Sequence, residues 1–338
     1  MCASRPAVPW SVEPLIPSAG AVTVLVSGNV HDHVVKRIGD EFRLIHIDRP
    51  DPSLLSPQDI ARVRGLSAFG GIDANFIDVF PNLEIIANFG VGYDSVDAAH
   101  AAAKGVMVTN TPDVLTEEVA DLTVGLLLAT LREVPKAEAW LRQGKWVEEG
   151  GYRLSPLSLR GRHIGIFGLG RIGLAVARRL ESFGVSIAYH NRRPVEGVPY
   201  AYFATLKGLA EAVDTLVSIA PGGAATEKAI NADILKALGP RGVLINTGRG
   251  STVDEDALAA ALSGGAIAAA GLDVFADEPN VPQALLDVPN TVLLPHIASA
   301  SALTRTAMAD LCVDNLVSWF AERKPLTPVP ETAHVKAK

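Results

Sequence analysis

An arginine, a glutamate and a histidine stand in three loops of the second half of this sequence. Arg249 lies in Asn246-Thr247-Gly248-Arg249-Gly250, Glu278 between Asp273 and Pro279, and His296 in Pro295-His296-Ile297-Ala298-Ser299. Imidazole titrates near neutral pH and can therefore move a proton. A guanidinium can hold a carboxylate through two parallel hydrogen bonds. Each loop follows the C-terminal end of an apolar run, the place where ligands bind in open α/β sheets. Singly, each residue has a plain reading: a surface arginine, an acidic loop, a histidine with its hydrogen bonds met. For His296 alone the plain reading is the better one.

A second group would bind rather than react. Gly168-Leu169-Gly170-Arg171-Ile172-Gly173 has the form G-x-G-x-x-G, which by itself is weak because glycine pairs are common in turns. Its context strengthens it: an apolar strand ends at Gly168, and Ile172, Ala175, Val176, Arg179 and Leu180 follow at helical spacing. The first glycine would make the tight turn, the second admit a pyrophosphate, and the third let the helix pack against the sheet. An NAD site places an acid about 20 residues further on, against the ribose hydroxyls. Here the strand ends in His190-Asn191-Arg192-Arg193, without an acid. Asn191 can donate to a 2′-phosphate and Arg192 and Arg193 can pair with it. Two charge-assisted bonds of roughly 1.5–3 kcal/mol each favour NADP over NAD by on the order of a hundredfold. NADP is thus the expected cofactor, with NAD possible. The alternative is a solvated basic turn before Pro194.

The elements that must position these residues alternate between strand and helix. In the first part strands are expected at 22–26, 43–47, 66–69, 83–87 and 107–109. In the second they are expected at 163–167, 186–189, 215–219, 243–246, 268–272 and 292–294. Strands alternating with helices imply parallel sheets covered on both faces. A helix is expected from Thr116, capped by Thr116 with Glu117 and Glu118 in its first turn, running to Leu131 and able to bridge two domains. Another spans Ser301 to Phe320. At 338 residues the chain is long for one core, so two domains are expected.

Composition excludes several functions. A net charge of −7, with no basic stripe, argues against nucleic acid as a partner. The strongly apolar stretch Leu122 to Leu131 is too short to span a bilayer. Cys2 and Cys312 build neither a disulfide framework nor a metal site, which suits a cytoplasmic protein. Residues 1–20, with four prolines, read as a loose extension.

Taken together, the ordered segments Phe89-Gly90-Val91-Gly92-Tyr93-Asp94, Gly168 to Gly173, Asn246 to Gly250, Asp273 to Pro279 and Pro295 to Ser299 resemble the D-isomer-specific 2-hydroxyacid dehydrogenase family. The match runs from about Val22 to Pro328, and within the family it is nearest the NADP-dependent glyoxylate/hydroxypyruvate reductases. The resemblance implies two Rossmann-like or flavodoxin-like parallel-sheet domains with a cleft between them. One, discontinuous over 1–110 and 295–338, would bind substrate; the other, 111–294, would be the dinucleotide-binding Rossmann domain.

The resemblance also implies roles. Arg249, Glu278 and His296 would be catalytic: His296 the proton donor to a 2-oxo acid, Glu278 orienting its ring and stabilising the imidazolium, Arg249 holding the substrate carboxylate and polarising the ketone. Val91 and Gly92, with Arg249 and His296, would bind substrate. Cofactor contacts would come from Leu169, Gly170, Arg171, Ile172 and Gly173, from Asn191, Arg192 and Arg193, and from Ala220, Pro221 and Thr226. Thr247, Gly248, Arg249, Asp273, His296 and Ala298 would complete them, with Asp273 on the nicotinamide amide. No metal is expected, and a homodimer is. Two rivals remain open: a D-specific dehydrogenase for another 2-oxo acid or for phosphite, and a dinucleotide-sensing binding protein on the same fold.

Overall fold

The computed structural model describes residues 22–336; the extension read over 1–20, with Cys2, lies outside the described residues. The chain forms two compact units. One runs to Pro112 and resumes at Thr306, and the other is Asp113–Arg305. The return boundary thus falls inside the helix Ala302–Glu322, not at Pro295. The reason is packing: Leu316 and Phe320 of that helix lie against Gly65, and the Cys312 thiol against Ser67 and the Ala87 carbonyl, all in the first unit.

In the first unit the strands are β1 Thr23–Ser27, β2 Arg43–Ile47, β3 Val63–Ala68, β4 Ile85–Asn88 and β5 Met107–Thr109. They pair in parallel in the order β2-β1-β3-β4-β5, the flavodoxin-like doubly wound order. Every residue of β1 is buried, as both faces of a parallel sheet require. β3 starts three residues before the apolar run at Leu66 suggests. Arg64 within it pairs with Glu84 at 2.6 Å, a partner twenty positions away that local hydropathy does not reveal.

In the second unit the strands are β6 His163–Phe167, β7 Ser186–His190, β8 Ala201–Tyr202, β9 Thr215–Ser218, β10 Val243–Asn246, β11 Ala269–Leu272 and β12 Thr291–Leu293. All pair in parallel, in the order β12-β11-β10-β9-β6-β7-β8. The order reverses between β6 and β9, which places the topological switch point beside the glycine turn. β8 has no counterpart in the sequence reading. It is two residues long, pairs only with β7, and is supported by the Tyr189–Tyr202 ring contact.

The helix Thr116–Leu131 lies wholly within the second unit. Leu126, Leu127 and Leu131 pack with Ile164, Ile166, Val243 and Ile245 of the sheet. Thr116 is its first residue and not its cap; the capping position is Leu115, without a side-chain bond. Glu117 and Glu118 nonetheless sit in the first turn, where carboxylates meet the positive end of the helix dipole. Among the described residues no helix is long and apolar enough to cross a membrane.

Candidate active site

The glycine turn is built by close backbone approach. Gly168 has φ +100°, and a Cβ there would lie 2.7 Å from the Ala220 nitrogen. A Cβ on Gly173 would overlap the Gly168 carbonyl, whereas one on Gly170 meets nothing within 4 Å. The first and third glycines therefore close the turn, and the second leaves its outer face open. The helix Arg171–Glu181 starts there with no side-chain cap, so its first N–H groups remain for an anion. This cradle fits a dinucleotide pyrophosphate.

Asn191 has a task that its sequence position does not reveal. Its Oδ1 accepts from Leu169 N–H at 2.7 Å, and its Nδ2 donates to the Leu169 carbonyl at 3.2 Å. It brackets the glycine turn to the end of β7, leaving one amide hydrogen for a ligand. Arg192 and Arg193 beside it are exposed. Arg171 pairs with Asp113 at 3.1 Å.

Other residues expected at the cofactor are fixed locally. Ala220 is buried after β9. The Thr226 hydroxyl donates to the Pro221 carbonyl at 2.7 Å and so folds that loop on itself. Thr247 meets the Thr123 hydroxyl at 2.7 Å, while Thr123 donates to the Val119 carbonyl. With Thr123's single proton used, Thr247 must be the donor of their shared bond, and what it offers a ligand is an acceptor.

The loops that carry Arg249, Glu278 and His296 are held by backbone bonds. The Arg249 carbonyl accepts from Asn246 Nδ2 at 2.9 Å and from the Thr252 hydroxyl at 2.7 Å. Next to it, Gly250 packs against the loop after β11 so closely that a Cβ would overlap the Phe275 carbonyl group. The Phe275 N–H in turn donates to Glu278 Oε1 at 2.9 Å. Gly250→Ala is therefore expected to displace the segment that carries Glu278. It should lower stability by about 1–3 kcal/mol, the usual effect of overpacking, and lower kcat by more than the unfolded fraction explains. Thermal unfolding and kcat measured on the same preparation check this; an unaltered kcat in a stable variant would contradict it.

Asp273, with 0% of its surface exposed, gathers the histidine loop. Its Oδ1 accepts from Ile297 N–H and its Oδ2 from Ala298 N–H, both at 2.8 Å, and its carbonyl accepts from His296 N–H at 2.8 Å. Three successive N–H groups thus close on one residue and hold His296 at φ +54°. Left-handed backbone costs roughly 1–2 kcal/mol in a non-glycine residue and persists where its surroundings over-determine it. Burial pushes the Asp273 carboxyl above the usual carboxylate range, and those two N–H bonds and the His296 charge only partly offset it. Arg305, half-buried, is drawn down by burial and supported by the Asp273 charge.

Glu278 and His296 meet. Glu278 Oε2 lies 2.7 Å from His296 Nδ1, with side chains 34% and 45% exposed respectively. Burial acts to raise the Glu278 carboxyl, but the bonds from His296 and Phe275 and the charges of His296 and Arg249 bring it below its ordinary value. An ionised Glu278 can only accept, so Nδ1 carries its proton and Nε2 is the nitrogen left to exchange one. Arg249, Glu278 and His296 are thus brought together in the second unit. Val91 and Gly92 lie half-buried in the loop after β4 of the first. Thr123, Thr252 and Arg305 support the site although no sequence motif marked them, and Asn246, which opens the arginine motif, does so in a role the motif does not state. Thr123 is 124 positions from its partner, and no local pattern records such a pairing.

Residues 124–298 match the NAD binding domain of the D-isomer specific 2-hydroxyacid dehydrogenases. Glyoxylate/hydroxypyruvate reductase A of Arabidopsis thaliana is 41% identical over 312 residues, covering 91% of this chain and 99% of that protein. Hydroxyphenylpyruvate reductase of Plectranthus scutellarioides is 43% identical over 313 residues, with the same coverage. The crystal structure of the NADPH-dependent glyoxylate/hydroxypyruvate reductase from Sinorhizobium meliloti, in complex with NADP and malonate, superposes with a TM-score of 0.92. It is 60% identical and covers 94% of this chain and 99% of its own. A domain match over more than half the chain and relatives matched over nearly their full length converge on one conclusion: this protein belongs to the D-isomer specific 2-hydroxyacid dehydrogenase family and is an oxidoreductase.

Proposed function

We propose that this enzyme reduces small 2-oxo acids, glyoxylate and hydroxypyruvate foremost, to 2-hydroxy acids at the expense of NADPH, with His296 as the proton donor. The observation that carries the chemistry is the 2.7 Å contact of Glu278 with His296 Nδ1, which leaves Nε2 to act. When bound, the reduced nicotinamide supplies the hydride that adds to C2. His296 Nε2 gives its proton to the carbonyl oxygen, and Glu278 stabilises the ring while it is charged. Arg249 holds the carboxylate and the developing negative charge on that oxygen, with the backbone N–H groups of Val91 and Gly92 on the carboxylate as well.

The cofactor reading rests on the end of β7. The N–H groups of Arg171 and Ile172 would take the pyrophosphate, since that of Gly170 donates to the Gly168 carbonyl at 2.9 Å. Arg192, Arg193 and the remaining Asn191 hydrogen would take a 2′-phosphate, and the Sinorhizobium meliloti relative binds NADP. Replacing Arg192 and Arg193 together with serine is expected to lower kcat/KM with NADPH by about a hundredfold while NADH changes little. Steady-state kinetics with both cofactors, across a panel of 2-oxo acids, tests substrate and cofactor together. Equal or better kcat/KM with NADH in the parent enzyme would sink the NADPH reading. The 43% identity to a hydroxyphenylpyruvate reductase supports a second reading, a bulkier aryl 2-oxo acid, and the same panel decides between them.

A further inference from the structure

We infer that Asn88 and Asn110 are positioning residues that set the Gly90-Val91-Gly92 loop to receive the substrate carboxylate; this rests on the assignment of that anion to the Val91 and Gly92 N–H groups. Asn88 closes β4 with only 4% of its surface exposed. Its Nδ2 donates to the Gly90 carbonyl at 3.1 Å and to the Gly92 carbonyl at 3.0 Å, which uses both amide hydrogens. Asn110 Nδ2 donates to the Val91 carbonyl between them at 2.7 Å. Three successive carbonyls are thus held by two side-chain amides, with Thr111 N–H adding a backbone bond to that of Gly90 at 3.0 Å.

The consequence follows from peptide planarity. In a trans peptide the C=O and the next N–H point in opposite directions. Fixing the Gly90 carbonyl aims the Val91 N–H away from Asn88, and fixing the Val91 carbonyl aims the Gly92 N–H away from Asn110. Among the described residues, neither N–H has a backbone or side-chain acceptor. Two adjacent backbone donors without an acceptor are available to an anion.

Asn110 is itself anchored at depth. Its N–H donates to the Thr327 carbonyl at 3.2 Å, and the Thr327 hydroxyl donates to its carbonyl at 2.6 Å. Asn315, fully buried, donates to that hydroxyl at 2.9 Å and accepts from Leu326 N–H and Thr327 N–H, both at 3.0 Å. A polar network with its members satisfied resists rearrangement, and this one, buried at Asn315, reaches the loop through half-buried Asn110.

The test uses the NADPH-bound enzyme with Asn88→Ala and Asn110→Ala, and with Asn88→Ser and Asn110→Ser should an alanine variant not fold. Kinetics with the best 2-oxo acid are read beside hydrogen exchange of residues 89–95. The expected result is a KM for the 2-oxo acid raised about tenfold or more, with kcat and the KM for NADPH little changed and the loop amides exchanging faster. Unaltered exchange with unaltered KM overturns the positioning role and leaves the loop's carboxylate role standing. Faster exchange with unaltered KM shows instead that the loop does not hold the substrate, so the assignment beneath the inference fails. A parallel rise in the KM for NADPH marks a general loss of structure and also overturns it.

Discussion

His296→Ala is expected to lower kcat for 2-oxo acid reduction by about 10²–10⁴-fold, the range that a positioned general acid contributes, while NADPH binding stays nearly intact. The argument is geometric. Nδ1 is committed to Glu278 at 2.7 Å, so the proton delivered to substrate must leave from Nε2, and alanine has no group to replace it. A companion variant separates chemistry from backbone. His296 sits at φ +54°, a conformation that asparagine tolerates better than alanine. His296→Asn should therefore keep the fold of the loop, with its N–H bonds to Asp273, and still lose the rate. Fluorescence titration with NADPH and single-turnover reduction check both variants. A rate within a few-fold of the parent in either would rule out His296 as the acid.

Arg249→Gln is expected to damage binding and rate together, lowering kcat by on the order of 10²–10³-fold, the usual effect of removing one oxyanion donor, and raising KM as well. The double effect follows from the proposed mechanism, in which one guanidinium serves the ground-state carboxylate and the charge that develops on the ketone oxygen. The Arg249 carbonyl should stay in place, since Asn246 and Thr252 hold it, while the bond from its Nη1 to the Gly248 carbonyl at 2.9 Å is lost. Glu278 also loses a charge that helps keep it ionised, which adds to the loss of rate. Arg249→Lys keeps the charge but not the two-pronged geometry, and is expected to fall between the parent and Arg249→Gln. Steady-state kinetics over a wide substrate range reads both parameters. A raised KM with kcat preserved would confine Arg249 to holding the substrate.

Much of the scaffold was legible because buried parallel strands are short, continuous apolar runs. The spans at 107–109, 163–167 and 243–246 coincide with β5, β6 and β10, and 43–47 coincides with β2 although that edge strand buries only Ile47. β8 was not legible, because two residues leave no period to read and its support is a tyrosine pair contributed by two strands. The cap of the helix at Thr116 was misplaced by one residue, since threonine followed by glutamates satisfies the capping pattern whether or not its side chain bonds. The glycine turn could be read because its glycines answer a local demand, a turn and a close approach within six residues. Asn191 was placed correctly at the strand end, but its bracket on Leu169 spans 22 positions and shows only once β6 and β7 are paired.

The sequence alone therefore determined the kinds of chemistry available: a dinucleotide turn, a basic strand end without an acid, and an arginine, glutamate and histidine in loops beyond three strand ends. Tertiary structure decided how they work. It joined Glu278 to the Nδ1 side of His296, made Asp273 the clasp that holds His296 in left-handed backbone, and set Asn88 and Asn110 on the carbonyls of Gly90, Val91 and Gly92. The physical reason is the same in each case. Side-chain type and local conformation are short-range properties written in consecutive residues, whereas a hydrogen bond's partner and direction depend on which strands lie side by side, and that is settled by the whole fold.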